Sequence, residues 1–274
     1  MIPVSWDIVQ ERLDLAMGIL NDETPVAFDG PFHVGIDLGT SDVVIMVIDG
    51  AGRPVAVFLE WAEVVKDGVV VDFLGANTIV QRLKEKAEAK LNITIEGAST
   101  SFPPGTDSRL STNIIENIGM QVLDVADEPS CVARLLHLDR TAVVDVGGGT
   151  TGTAVVQNGQ VVFSDDEPTG GTHISLVISG HFGVSFEEAE KRKKQSEKYG
   201  ILALSTPTFE RICDIVAGHI KIHRVDQFIF SGGTCSLPGL VPLLEKNLNK
   251  KVRIPGNPIL LTPLAIASLG LDQG

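Results

Sequence analysis

Cysteine is scarce. Cys131, Cys213 and Cys235 are the only three in 274 residues, and none sits in a CxxC pair. That excludes a disulfide framework and a cysteine metal centre, and it fits a reducing cytoplasm with three buried free thiols. Basic residues are outnumbered. Lys plus Arg total 22 against 35 Asp plus Glu, a net charge of −13, which excludes nucleic acid or an anionic membrane as partner. No apolar run approaches the length of a membrane span, and the start lacks the basic and apolar regions of a signal peptide. Nucleophile signatures are also absent. There is no Gly-x-Ser-x-Gly and no Ser-His-Asp or Cys-His context. His219 and His223 have the i, i+4 spacing of metal ligands but no HExxH glutamate, so a solvated helix face is the expectation for them.

What is present is a repeated unit. Thr141 to Gln157 reads as strand, glycine turn, strand, with Asp145 ending the first strand, Gly147, Gly148 and Gly149 turning, and Thr150 and Thr151 opening the return. Three glycines tolerate positive φ and carry no Cβ, so their N–H groups can close on an anion. Asp145 can hold the water shell of Mg²⁺. Alone, this is equally an ordinary hairpin with a loose turn. The plan recurs about 108 residues earlier in Val34 to Gly50, with Asp37 ending the strand and Gly39, Thr40 and Ser41 turning. Each copy ends in a second hairpin signal, Asp49-Gly50 and Asn158-Gly159. Two such units imply two similar domains with facing phosphate hairpins, a nucleotide between them and an aspartate approaching the metal from each side. Neither turn is a dinucleotide fingerprint, because each leads into a strand and not a helix.

At this length the chain is one large domain or two medium ones, and a hydrophobic fraction of 43% suffices for a core. Residues 1–30 stand apart. Trp6, Ile8, Val9, Leu13, Met17 and Leu20 form one face of an expected helix, which either packs back on the body or docks on a partner. Beyond the first hairpin, a strand over 55–59 and a helix over 75–91 are expected, then a strand from Ser99 and a helix capped by Thr106 or Asp107. Glu128-Pro129 opens another helix. After the glycine hairpin, Gly170-Gly171-Thr172 leads into a helix, and Ser185 with Glu188 has the form of a capping box. Residues 197–205 read as a connection and 206–223 as a helix. A strand over 227–231 breaks at Gly232-Gly233, and a small-residue helix spans 263–271. Alternating strands and helices make the class α/β.

This ordered set resembles the actin and DnaK-type chaperone ATPase superfamily. Asp37-Leu-Gly-Thr-Ser41 is similar to its first phosphate motif, Asp145-Val-Gly-Gly-Gly-Thr-Thr151 to its second, and Phe230-Ser-Gly-Gly-Thr234 onward to its adenosine motif. Glu128-Pro129 resembles the first connecting helix and Thr262 to Leu271 the second. Trp61 to Gly68, Thr100 to Asp107, Gly170 to Leu176 and Leu261 to Ser268 narrow the resemblance to a chaperone-like family encoded with ethanolamine-degrading enzymes and bacterial microcompartment shell proteins.

The resemblance implies an actin-like ATPase fold, ribonuclease H-like, of two similar domains around a nucleotide cleft with trimmed outer subdomains. Domain I would span 31–140, completed by the helix 260–272, and domain II 141–259. Asp37 and Asp145 would orient Mg²⁺ through water. Gly39, Thr40, Ser41 and Gly147 to Thr151 would cradle the phosphates of ATP or ADP. Glu128 would position the attacking water, Glu190 and Lys193 would meet ribose and adenine, and Gly232 and Gly233 would back the adenosine. Enzymes of ethanolamine degradation or shell proteins are the implied partners, in the cytoplasm beside or within a microcompartment. One departure weakens catalysis. The lysine that chaperone ATPases place at the phosphates from domain I has no match, Lys66 standing in what reads as a turn, so hydrolysis is expected to be slow or absent. A scaffold that binds partners and hydrolyses nothing is the alternative, and a polymerising actin-like protein a weaker third. The resemblance stops at the hinge helix, without the peptide-binding domain of full chaperones.

Overall fold

The computed structural model describes residues 5–62, 65–66 and 69–273, with the side chains of 65, 66, 69, 70, 272 and 273 left aside. Two five-stranded sheets share one plan. In the first, β1 (Phe32–Leu38), β2 (Asp42–Asp49) and β3 (Pro54–Trp61) form an antiparallel meander, and β6 (Gly97–Phe102) and β7 (Gln121–Asp127) extend it in parallel, in the order β3-β2-β1-β6-β7. In the second, β8 (Thr141–Val146), β9 (Thr151–Gln157) and β10 (Gln160–Glu167) form the meander, and β11 (Gln227–Ser231) and β12 (Lys251–Arg253) extend it, in the order β10-β9-β8-β11-β12. A short pair, β4 (Val65–Lys66) and β5 (Val69–Val70), stands between β3 and the helices. The Lys66 side chain lies outside the described part of the structure.

The central strands read as continuous apolar runs because both their faces are covered. On the first sheet, α2 (Phe73–Leu91) and α3 (Arg109–Asn117) bury Ile79, Val80, Leu83 and Ile114 over Ile36, Ile45 and Phe58. On the second, α5 (Gly171–Phe182), α6 (Phe186–Lys193), α7 (Ser196–Tyr199), α8 (Ile201–His219) and α9 (Leu240–Leu248) gather around Phe209, Phe228 and Phe230. The third core lies between the sheets. There α4 (Glu128–Leu135) and α10 (Leu261–Ser268) cross, and every residue of α10 is buried.

Several boundaries differ from expectation. The Asn158-Gly159 turn is tight, both residues having positive φ with Gln157 pairing Gln160, but β2 and β3 are joined by a longer turn whose positive φ falls on Gly52 and not on Gly50. There Asp49 Oδ1 accepts from the N–H groups of Ala51 and Arg53, both at 2.9 Å, a local closure that competes with a two-residue turn. The helix after β6 is preceded by Ser108, and Asp107 instead accepts from the Arg109 N–H at 3.0 Å. Residues 197–205, expected as a connection, are helical: α7 closes on Gly200 in the left-handed conformation and α8 begins at Ile201. The N-terminal helix, α1 (Trp6–Gly18), does pack back, through Val9, Leu13 and Ala16. Ile8 is not on that face, and Met17, at its edge, is 37% exposed. At about 100° per residue Ile8 falls about 200° from Trp6, and it points to solvent. His219 and His223 are not a solvated face either. They lie 5.3 and 5.5 Å from the Phe163 ring, and the His219 side chain is only 11% exposed.

Gly35 sets how closely α10 can lie on β1. A Cβ there would stand 2.4 Å from the Ala267 nitrogen and 2.8 Å from its Cα. Both obstacles are helix backbone and cannot turn aside, so Gly35→Ala is overpacking of the inter-sheet core. A loss of about 2 kcal/mol in unfolding free energy is expected for Gly35→Ala, read in urea as a lower midpoint at an unchanged slope.

Candidate functional site

A cleft of about 1200 Å³ runs between the two sheets at the ends of β1 and β8. Asp37 and Asp145 stand one at each of those ends and are 9% and 7% exposed. Each carboxylate is held by hydroxyls from the neighbouring elements. Ser101 on β6 donates to Asp37 Oδ1 at 3.3 Å. Ser231 on β11 donates to Asp145 Oδ2 at 2.9 Å, and Thr262 on α10 donates to the same oxygen.

The hairpin tips meet. A Cβ on Gly148 would lie 1.9 Å from Ser41 Oγ, and one on Gly149 would lie 2.9 Å from Thr40 Cγ2. Side chains on the second tip would therefore wedge the hairpins apart. The second tip is braced from behind by the N-terminus of α5. The Gly171 and Thr172 N–H groups donate to the Gly147 and Gly148 carbonyls at 2.9 and 2.8 Å, and Thr234 Oγ1 donates to Gly147 at 2.8 Å. With its carbonyls turned back in this way, the tip directs other groups at the cleft. Gly232, with φ of +89°, passes so close to β8 that a Cβ would lie 2.4 Å from the Val146 carbonyl oxygen and 2.5 Å from Asp145 Oδ1.

Of the residues the motifs single out, Asp37, Gly39, Thr40, Ser41, Glu128, Asp145, Gly147, Gly148, Thr150, Glu190, Lys193, Gly232 and Gly233 line this one cleft. Gly149 and Thr151 do not. Gly149 is buried against Thr40, and the Thr151 hydroxyl is spent on the Thr169 carbonyl at 2.6 Å. Glu128 is the first residue of α4. It is carried to the cleft because Asp127 caps that helix, accepting from the Ser130 N–H at 3.0 Å and the Ser130 hydroxyl at 2.8 Å. Lys193 donates to Glu190 at 2.7 Å, to Ser175 Oγ at 2.8 Å and to the Gly171 carbonyl at 3.2 Å, so the pair is locked onto the first turn of α5.

Two carboxylates that the motifs did not single out belong to the site. Asp42 directly follows the first turn and lines the cleft. Asp166, next to last in β10, pairs with Gly152, and its Oδ1 is buried without a partner. The signal for Asp42 was its place in the repeat. Asp166 sat in an Asp165-Asp166-Glu167 run that reads as solvated surface. Burial, and then mutual repulsion, raises the whole group. Asp37 is pushed up to about 8 by desolvation with Asp42 and Asp145 behind it, Asp42 to about 6 by desolvation and Asp145, and Asp166 to about 7 by desolvation. Burial raises Asp145 despite its hydroxyl donors, and burial with Asp145 and Asp37 raises Glu128 well above the usual range. Desolvation lowers Lys193 against the pull of Glu190. Among the described residues no three His, Cys, Asp or Glu side chains converge as direct metal ligands. The donor set suits a cation that keeps its water.

The chain is 46% identical over 263 residues to the ethanolamine utilization protein EutJ of Escherichia coli, an alignment covering 96% of this chain and 94% of that one. The chain belongs to the EutJ family. A crystal structure of EutJ from Carboxydothermus hydrogenoformans, at 40% identity, superposes with a TM-score of 0.89 over 94% of this chain and 97% of that one. The model of the cell division protein FtsA family matches residues 142–267. MreB5 of Spiroplasma citri, solved with AMPPNP bound, shares the fold at 15% identity and a TM-score of 0.65, over 87% of this chain and 95% of that one. The EutJ fold is thus the actin-like ATPase fold, with its two repeated sheets facing across a cleft.

The raised carboxyls fix the sign of a pH effect. The unfolded chain ionises them near pH 4, whereas the folded cleft holds their protons up to about 6, 7 and 8 for Asp42, Asp166 and Asp37. The folded form therefore binds more protons across that window, and its stability falls as pH rises from about 4 to about 8. In chelator and without nucleotide, Asp42→Asn is expected to raise the melting temperature at pH 8 and to leave it nearly unchanged at pH 4, measured by calorimetry across that range.

Proposed function

We propose that the chain is a nucleotide-switched, chaperone-like assembly or reactivation factor of bacterial ethanolamine utilisation. ATP or ADP occupies the cleft, and ATP bridges the two hairpins and holds it closed. The observation that carries this reading is the meeting of the two repeated hairpins over paired, desolvated aspartates. Membership of the EutJ family supplies the physiological setting, as the relatives' name states ethanolamine utilisation.

The roles follow from position. Gly39, Thr40 and Ser41 face Gly147, Gly148 and Thr150, so a polyphosphate between the tips is contacted from both sides. Gly232 and Gly233 let a nucleoside lie on bare backbone, with Glu190 and Lys193 on the facing wall. Asp37 and Asp145 would hold Mg²⁺ through its water shell, and the metal supplies the positive charge that phosphates and carboxylates both need. Glu128, whose carboxyl is raised by burial and then by Asp145 and Asp37, would orient the attacking water as a base once cleft charge is compensated. Clients are the ethanolamine-degrading enzymes or the microcompartment shell, met in the cytoplasm.

A non-hydrolysing scaffold is the second reading. It is favoured by the cleft's cations: among the described residues the lysines lining it are Lys193 and Lys194, both at the end of α6 on the second sheet.

Thermal melting separates the two readings. Mg-ATP or Mg-ADP at a hundred times Kd is expected to raise the wild-type melting temperature by about 5 °C or more, since binding to the folded form alone stabilises by about 2.7 kcal/mol. Asp145→Asn is expected to abolish the shift. Where wild type turns over ATP, Glu128→Gln is expected to lower the rate about 100-fold with Kd unchanged. No shift at millimolar nucleotide would leave the scaffold.

A further inference from the structure

The amino-terminal helix α1 touches both halves of the molecule, and it does so with different chemistry on each side. Toward the first sheet it is anchored by burial, Val9, Leu13 and Ala16 packing against β2 and β3. Toward the second the Trp6 ring lies 5.5 Å from the Arg253 guanidinium of β12, and exposed polar contacts join the helix to the segment after β12. Gln10 Oε1 accepts from the Gly256 N–H at 2.8 Å. Asp14 Oδ1 accepts from Asn257 Nδ2 at 3.2 Å and is itself held by Gln10 Nε2 at 2.9 Å. The fit is close, because a Cβ on Gly256 would stand 2.6 Å from Gln10 Nε2.

That segment backs the adenosine turn. Asn257, left-handed at φ 58°, starts the short helix Pro258–Leu260. The Pro258 carbonyl accepts from the Gly232 N–H at 3.2 Å, and Ile259, which also lines the cleft, would meet a Cβ on Gly233 at 3.4 Å. A continuous path of contacts therefore runs from the solvent-facing helix through Asn257 to Gly232 and Gly233.

We propose that α1 is a brace that couples the nucleotide cleft to the outside of the molecule, with Gln10 and Asp14 as positioning residues for the adenosine turn. The inference rests on the nucleotide reading of the cleft. The buried side of α1 holds it on the first sheet. The exposed contacts are the ones that break and re-form, because each exchanges readily with water. While they hold, the 256–259 segment cannot swing from the first sheet, and the turn stays against the nucleoside. When they break, the turn loosens and nucleotide leaves. Coupling of this kind is reciprocal, so bound nucleotide must in turn hold α1 down.

The test uses the full chain carrying Gln10→Ala and Asp14→Ala together, with Asp14→Asn as the conservative variant because it keeps the acceptor for Asn257, and Glu11→Ala as a control on an exposed position of the same helix. Release of a fluorescent ADP analogue in the presence of Mg²⁺ is followed by stopped flow, and hydrogen exchange of residues 6–18 with and without Mg-ADP. The double variant is expected to release nucleotide about tenfold faster with little change in association, while Asp14→Asn and Glu11→Ala match wild type. In the wild type, Mg-ADP is expected to slow exchange across α1, and in the double variant to leave it unchanged. If the double variant melts too low to study, Asp14→Ala alone is expected to give a smaller acceleration in the same direction. Wild-type release rates in the alanine variants, or α1 exchange in the wild type that ignores Mg-ADP, would overturn the inference while leaving the cleft reading intact. A wild type that binds no nucleotide would overturn both.

Discussion

A single carboxylate organises the centre of this molecule. Asp145 ends the middle strand of one sheet, and its Oδ2 is held by Ser231 from the adjacent strand and by Thr262 from the helix that joins the sheets. Those hydroxyls donate to the charged form, which burial opposes. Asp37 repeats the arrangement on the other sheet with Ser101. Two desolvated acids thus face each other across a cleft whose hairpin tips already touch, and repulsion between them is relieved by taking protons or a cation. Everything nearby is arranged so that they stay. The glycines admit close backbone, the hydroxyls fix orientation, and the helix N-terminus behind Gly147 holds the tip in place.

The same residues tie the cleft to the crossing of α4 and α10. Thr262 is the second residue of α10, a helix that lies on β1 only because Gly35 has no side chain. On the proposed reading, a rotation of the sheets about the crossing of α4 and α10 would act on the Asp145 contact. Glu128 belongs to this linkage as well, being the first residue of α4. Positions that touch the cleft and positions that carry the crossing are thus one or two residues apart in the chain, and on the proposed reading a change in cleft charge would reach the crossing without a long relay.

Much of this was legible in the sequence, for identifiable reasons. Backbone requirements leave local traces: the doubled Asp-Gly turn, the Gly232-Gly233 break and the Glu128-Pro129 helix start each demand particular residues at fixed offsets, and all lie where those offsets place them. What stayed hidden depends on tertiary burial. Asp166 looks like one of a solvated acidic run until β10 pairs with β9 and brings it to Thr150. His219 and His223 looked like a wet helix face until Phe163 filled the space between them. Thr151 matched a phosphate motif, yet its hydroxyl is captured by the Thr169 carbonyl, a contact across 18 residues that no local pattern encodes. Ile8 was placed on the buried face of α1, but the helical period puts it about 200° from Trp6, on the far side.

The balance of charge in the cleft limits how it can bind a polyphosphate. Its walls carry Asp37, Asp42, Glu128 and Asp145, whereas Lys193 is already engaged by Glu190 and Ser175, and Lys194 rests 4.1 Å over the Trp61 ring at the mouth. A phosphate chain entering alone would add negative charge to a site whose carboxyls are already raised by burial and by one another. Entry with a divalent cation reverses that, since the metal satisfies carboxylates and phosphates together and leaves the backbone N–H groups and hydroxyls of the tips to orient them. On the proposed reading, a cleft built this way takes nucleotide only as the metal complex. On that reading the compensating charge would come from the metal, among the described residues the lysines lining the cleft being Lys193 and Lys194, and occupancy of the cleft would be sensitive to free divalent cation.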